Sequence, residues 1–134
     1  MRLGIFAKTF AGSDPLTVLK AARVAGFAAV QYNMACSGLA AMPAALTPAQ
    51  TAEVAQASAA TGVAIAAVSG TYNMIHPDPA VRAFGLGRLA VLIDAAAAMG
   101  TGMVTLCTGT RDAQDQWRHH PDNALPEAWR DLLD

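Results

Sequence analysis

The sequence predicts an α/β fold in which short strands alternate with helices around a parallel sheet. Three observations predict it. Four short apolar runs alternate with four longer segments of helical spacing. The repeating unit is about thirty residues, the length of a strand plus its crossover helix. The long polar loops all follow strands, whereas the turns that follow helices are short and centred on Gly26, Gly62 and Gly100 to Gly102. Strands that alternate with helices call for parallel pairing and right-handed crossovers.

The elements follow in order. Arg2 to Lys8 is a short run of strand formers, ended by the turn Ala11-Gly12-Ser13. Asp14 or Ser13 can cap the next helix, with Pro15 at its first position. Leu16, Leu19, Ala22, Ala25 and Phe27 then recur at helical spacing, and Gly26 is a good stop. Ala28 to Asn33 (AAVQYN) is the second strand, and Cys36 to Leu46 a loop. Thr47 caps the second helix, with Pro48 at its first position. That helix runs to Gly62. Val63 to Ser69 is an apolar run expected to be buried on both faces. Asp78-Pro79 opens a third helix that runs to about Met99. Met103 to Cys107 is the fourth strand. After the polar loop Thr108 to Ala124, Leu125-Pro126-Glu127 opens a fourth helix that reaches Asp134. Within it, Trp129 and Leu133 lie four apart and are expected on its inner face.

Composition bounds the function. A chain of 134 residues is long enough for one domain with a core. Apolar residues make up 54%, much of it alanine, which suits helices packed closely on a sheet. The net charge is −1 and no basic face is visible, so broad electrostatic binding of nucleic acid is not expected. Cys36 and Cys107 fit a reducing cytoplasm better than a disulfide scaffold. The apolar run after Arg2 is broken at once by Lys8 and Gly12, unlike a signal peptide. The longest apolar stretch, Leu89 to Met99, contains Asp94 and is too short to span a bilayer. A cytoplasmic protein with no membrane partner is the expectation.

Two architectures share the alternating pattern. One is a small doubly wound open sheet, the other a (β/α)₈ barrel of roughly 250 residues. Both place functional loops at the carboxyl ends of the strands. A nucleotide-binding open sheet should also carry a glycine-rich phosphate loop after its first strand. Phe6 to Asp14 holds only Gly12, which argues against that reading.

Two loops hold most of the candidate chemistry. After the third strand, Ser69-Gly70-Thr71-Tyr72-Asn73-Met74-Ile75-His76-Pro77-Asp78 brings an amide, a phenol, a histidine and a carboxylate together. His76 is the candidate for proton transfer, and Asn73 for substrate binding. The plainer reading makes Asp78 a helix cap and His76 a loop residue bonded to backbone. The loop after the fourth strand offers Thr108, Gly109 and Thr110, then Arg111, Trp117 and His120. Arg111 has a planar fork suited to carboxylate or phosphate; an Arg111–Asp112 surface pair is its plainer reading. Trp117 can form a wall against the apolar face of a sugar, or simply anchor the loop. Lys8 at the end of the first strand is a substrate ligand or a solvated strand end. Cys107 reads as a small apolar residue rather than a nucleophile. His119-His120 lacks partners at metal-ligand spacing.

The segments SGTYNMIHPD (Ser69 to Asp78), CTGTRDAQDQWRHHPDN (Cys107 to Asn123), PEAW (Pro126 to Trp129) and GIFAKTF (Gly4 to Phe10) resemble the sugar phosphate isomerase/epimerase group of the xylose isomerase-like TIM barrels. The resemblance runs collinearly over essentially the whole chain, residues 1–134. It implies a (β/α)₈ TIM-barrel type of α/β fold, here a half barrel of about four βα units with a parallel sheet. It also implies metal-dependent proton transfer next to a sugar carbonyl. The family's divalent metal (Mn, Mg, Zn or Co) is usually held by Glu, Asp, His and Glu on later strands, which would follow Asp134. No metal ligand is placed on this sequence, and the chain alone is expected to bind none. His76 carries over as the catalytic histidine of the first half. Arg111, Trp117 and His120 carry over as loop residues on the side of the substrate, while Lys8, Asn73 and Thr108 are substrate-binding candidates by their own chemistry and their place at strand ends. The DNA-repair branch uses extra first-half histidines, whereas only His76, His119 and His120 stand here.

The expected partner is thus a sugar or sugar phosphate. The isolated chain is expected to be inactive, and truncation is the favoured account of its length. Two alternatives stay open: a half-barrel module that homodimerises to close its exposed sheet edges, and a small open α/β domain that binds a phosphorylated ligand.

Overall fold

The computed structural model describes residues 1–133. Asp134, the expected end of the fourth helix, lies outside them. The strands are β1 (Gly4–Phe6), β2 (Ala29–Tyr32), β3 (Ala64–Ser69) and β4 (Val104–Thr105), and the helices are α1 (Pro15–Val24), α2 (Pro48–Thr61), α3 (Pro79–Ala96) and α4 (Pro126–Leu133). All pairings are parallel, in the order β1-β2-β3-β4. A doubly wound sheet reverses direction from its first strand, whereas a barrel winds steadily one way. The steady order makes this sheet a partial TIM barrel.

Local chemistry accounts for the helix ends. The Asp14 carboxylate accepts from the Thr17 N–H at 2.9 Å, so Asp14 and not Ser13 caps α1. Thr47 and Gln50 form a reciprocal capping box at α2. Asp78 caps α3 through the Ala80 N–H. The core lies between the sheet and the helices. Ile65, Val68, Val30 and Tyr32 from the strands pack with Val18, Leu19 and Ala22 of α1, Val54 and Ala57 of α2, and Leu92 of α3.

Several expectations change. β1 ends at Phe6, and Lys8 sits in a 3-10 turn over Ala7–Thr9. In α1 it is Val18, not Leu16, that is fully buried, and the helix stops before Ala25 and Phe27. A 3-10 turn over Met34–Ser37 precedes the loop expected from Cys36. β3 is buried on both faces only toward its carboxyl end: Ala67, Val68 and Ser69 are buried, while Ala64 and Ala66 nearer its start are exposed. The second face of a barrel strand looks to the barrel axis, where no helix covers it. β4 pairs over two residues rather than five: Val68 and Ser69 oppose Val104 and Thr105, and the Gly70 N–H still donates to the Thr105 carbonyl at 2.9 Å. Trp129 and Leu133 are 62% and 67% exposed, not inward-facing; only Ala128 of α4 is buried. That helix touches the rest through Ala128 and through Asp131, whose two ion pairs are described below.

Candidate functional site

The sheet alternation delivers two sets of side chains. Val30 and Tyr32 enter the core, which leaves Gln31 and Asn33 for the opposite face. Phe6 stands beside Gln31 in register. At the carboxyl ends of these strands lies a cavity of about 380 Å³. Its lining is Phe6 of β1 and Lys8 after it, Gln31 of β2 and Asn33 after it, Ser69 of β3 and Thr71 after it, Ala41, and Gln116 with Trp117 from the loop after β4. This is the barrel mouth. Trp117 is 70% exposed and forms its rim.

Across the inner face, Gln31 Nε2 donates to Thr105 Oγ1 at 2.6 Å, tying β2 to β4 over β3. Asn33 is buried and its Oδ1 accepts the Ala35 N–H at 3.0 Å. Ser69 Oγ and Thr71 Oγ1 lie 3.4 Å apart.

A second groove, of about 520 Å³, adjoins the mouth at Gln116 and runs between α3 and the two rim loops. His76 and Asn73 line it, with Tyr72, Phe84 and Arg88. The rim loops are bound side by side. Thr110 N–H donates to Asn73 Oδ1 at 2.9 Å, Ile75 N–H to the Thr108 carbonyl at 3.2 Å, and His76 Nε2 lies 3.3 Å from the Ala113 carbonyl. His76 Nδ1 accepts the Asp78 N–H at 3.0 Å. Since a backbone N–H must donate, the proton of the neutral ring sits on Nε2 and goes to Ala113. Both ring nitrogens are thus engaged with backbone.

The other sequence candidates separate. Lys8 and Trp117 line the mouth; Asn73, His76, Thr108, Arg111 and His120 do not. Arg111 donates to Asp131 Oδ2 at 2.6 Å, and Arg82 reaches Asp131 Oδ1 at 3.3 Å. The partner of Arg111 is therefore Asp131 of α4. Asp112 pairs instead with Arg118 and accepts the Gln114 and Asp115 N–H groups, which hold its carboxyl below the usual carboxylate range. His120 Nδ1 accepts the Asp122 N–H at 3.3 Å and starts a 3-10 turn. Thr108 is exposed. Burial pushes the Cys36 and Cys107 thiols up, and Cys107 Sγ donates to the Tyr72 carbonyl, so neither is a ready nucleophile.

Gln31, Asn33, Ser69, Thr71 and Gln116 escaped the reading of the sequence. A signal for two of them was there: in AVQYN the polar residues hold one phase of the period-two alternation and the core residues the other.

The mouth does not fit a divalent metal. Its polar lining is an ammonium, amides and hydroxyls, and no carboxylate or imidazole stands among them. Among the described residues no three histidine, cysteine, aspartate or glutamate side chains gather at ion-binding distance. Nor is any described helix long and apolar enough to cross a membrane.

Comparison with known proteins fits this geometry. A solved xylose isomerase-like TIM barrel/4-hydroxyphenylpyruvate dioxygenase fusion protein superposes with a TM-score of 0.61 at 23% identity, over 84% of this chain. The chain spans 17% of the length of that protein. No curated protein matches. A family model described as xylose isomerase-like TIM barrel matches residues 19–134. With its steady parallel sheet and its polar mouth at the strand ends, the chain belongs to the xylose isomerase-like TIM barrel family.

Proposed function

We propose that this chain supplies the sugar-binding wall of an isomerase- or epimerase-type barrel, which acts on a sugar or sugar phosphate by proton transfer next to the carbonyl. One observation carries the reading: a single cavity at the carboxyl ends of β1 to β3 combines an ammonium, three amides, two hydroxyls and a tryptophan rim. Such a lining suits a polyhydroxylated ligand, with hydroxyls on the amides and a ring face on Trp117. Lys8 and Trp117 touch the ligand; Asn73, His76, Thr108, Arg111 and His120 position the loops that form the rim.

The mouth contains no carboxylate to serve as acid or base. The chain by itself therefore binds without turning over, and a divalent metal adds nothing to binding. Titration of a Trp129→Phe variant with aldoses, ketoses and their phosphates, read by Trp117 fluorescence, tests this. Saturable quenching that Asn33→Ala abolishes is expected. Flat titrations with every sugar, or robust isomerase turnover by the chain alone, would overturn it.

A second reading, an assembly module, draws on the apolar flank beside β4. Ile93, Met103 and Leu106 are about half exposed there, and each contributes to or borders one groove with Leu89. Light scattering separates the two: a concentration-independent monomer counts against assembly. Phosphate capture by Arg111 is disfavoured, because its fork is already bound to Asp131.

A further inference from the structure

Two of the three amides in the mouth present opposite hydrogen-bonding ends to it. Asn33 is 6% exposed, and its Oδ1 accepts the Ala35 N–H. A backbone N–H only donates, so the carbonyl end of Asn33 is committed to the turn and Nδ2 is the end left for the cavity. Gln31 is turned the other way. Thr105 Oγ1 faces the Val68 carbonyl at 3.5 Å. Gln31 Nε2 donates to that hydroxyl at 2.6 Å. Gln31 Oε1 is left for the cavity as an acceptor. The only ionised side chain in the lining is Lys8, which makes no ion pair among the described residues.

We infer that the mouth takes a small hydroxylated monoanion in one orientation, its acidic oxygens on Lys8 and Asn33 and a hydroxyl donating to Gln31 Oε1, with Thr105 as the positioning residue that holds the Gln31 amide. This rests on the reading of the mouth as a ligand site. One ammonium balances one negative charge. The lining holds no arginine and no second cation for a phosphate dianion. A hydroxylated carboxylate fits both the charge and the polarity.

The test uses the Trp129→Phe chain, Trp117 fluorescence and four probes: gluconate, sorbitol, hexanoate and glucose 6-phosphate. Gluconate is expected to bind about tenfold more tightly than sorbitol, through its charge. It should also bind several-fold more tightly than hexanoate, through its hydroxyls, and at least as tightly as glucose 6-phosphate. Lys8→Gln should erase the preference over sorbitol. Thr105→Val frees the Gln31 amide to turn, and should erase the preference over hexanoate while the preference over sorbitol stays. Thr105→Ser should restore it. Gln31→Met, which keeps the volume and removes the acceptor, should match Thr105→Val and serves if that variant does not fold. Equal binding of gluconate, sorbitol and hexanoate overturns the inference but leaves the mouth as a ligand site. So does an unchanged preference over hexanoate in both Thr105→Val and Gln31→Met. Tighter binding of glucose 6-phosphate overturns the carboxylate assignment. If none of the four probes moves the fluorescence, the ligand site itself falls.

Discussion

Asn73 buckles the two rim loops together by taking the Thr110 backbone N–H on its buried Oδ1 at 2.9 Å. Gly109 lies directly against it at φ +78°: a Cβ there would sit 2.1 Å from Asn73 Oδ1. Asn73→Ala leaves the Thr110 N–H buried without a partner, at a cost of about 1–3 kcal/mol. Gly109→Ala both strains the backbone and displaces Asn73, and should cost at least as much. Urea denaturation of the two variants checks this. Losses below about 0.5 kcal/mol would mean that the loops are held elsewhere.

Gly85 and Gly87, two residues apart on α3, should respond oppositely to alanine. A Cβ at Gly85 would meet the Tyr72 ring at 2.0 Å, whereas at Gly87 nothing lies within 4 Å. Gly87→Ala is expected to stabilise by about 0.5–1 kcal/mol through helix propensity. Gly85→Ala should destabilise by about 1–3 kcal/mol, since the ring must leave its seat. Thermal melts that shift the same way for both would contradict the close ring-to-helix packing.

Asp131 carries two guanidiniums, Arg111 from the fourth-strand loop and Arg82 from α3, and Arg82 also donates to the His76 carbonyl. Asp131→Asn should cost about 1–2 kcal/mol, given that these groups are only partly exposed. It should also raise amide exchange in the last turn of α4 and around Arg111 together. Faster exchange confined to α4 would show that the pair does not couple the loop to the helix.

Stability should fall at both ends of the pH range. Burial raises the Tyr32 phenol, which hydrogen-bonds Ser37 at 2.7 Å. A raised phenol stays neutral in the fold while the unfolded chain ionises. Its contribution is thus complete below about pH 10 and is lost as pH rises past it. Tyr32→Phe should flatten this alkaline fall. Asp112 behaves in the opposite sense: backbone N–H groups of Gln114 and Asp115 lower its carboxyl, so its contribution is present near neutral pH and lost on acidification through the lowered value. Asp112→Asn should flatten the acid side only. Denaturant midpoints measured across pH decide both.

How legible was the site? The helix starts at Asp14, Thr47 and Asp78 were readable because a cap and the N–H that donates to it lie within three residues. Lys8 and Trp117 were readable as polar or aromatic residues in loops at strand ends. His76 and Arg111 drew attention for their chemistry, yet their partners Ala113 and Asp131 lie 37 and 20 residues away, which no local pattern reveals. Trp129 and Leu133 share a helix face, but spacing alone does not say whether anything covers that face.

The chain alone determined the alternation of strands and helices, the caps, and the phase in which Val30 and Tyr32 oppose Gln31 and Asn33, because propensity, capping and pleat act between near neighbours. Only the tertiary structure decided that β1 to β4 wind one way, so that Lys8, Gln31, Ser69 and Trp117 meet in one mouth while His76 faces a groove beside it. That choice depends on strand order and register, which are set by packing between segments far apart in the chain.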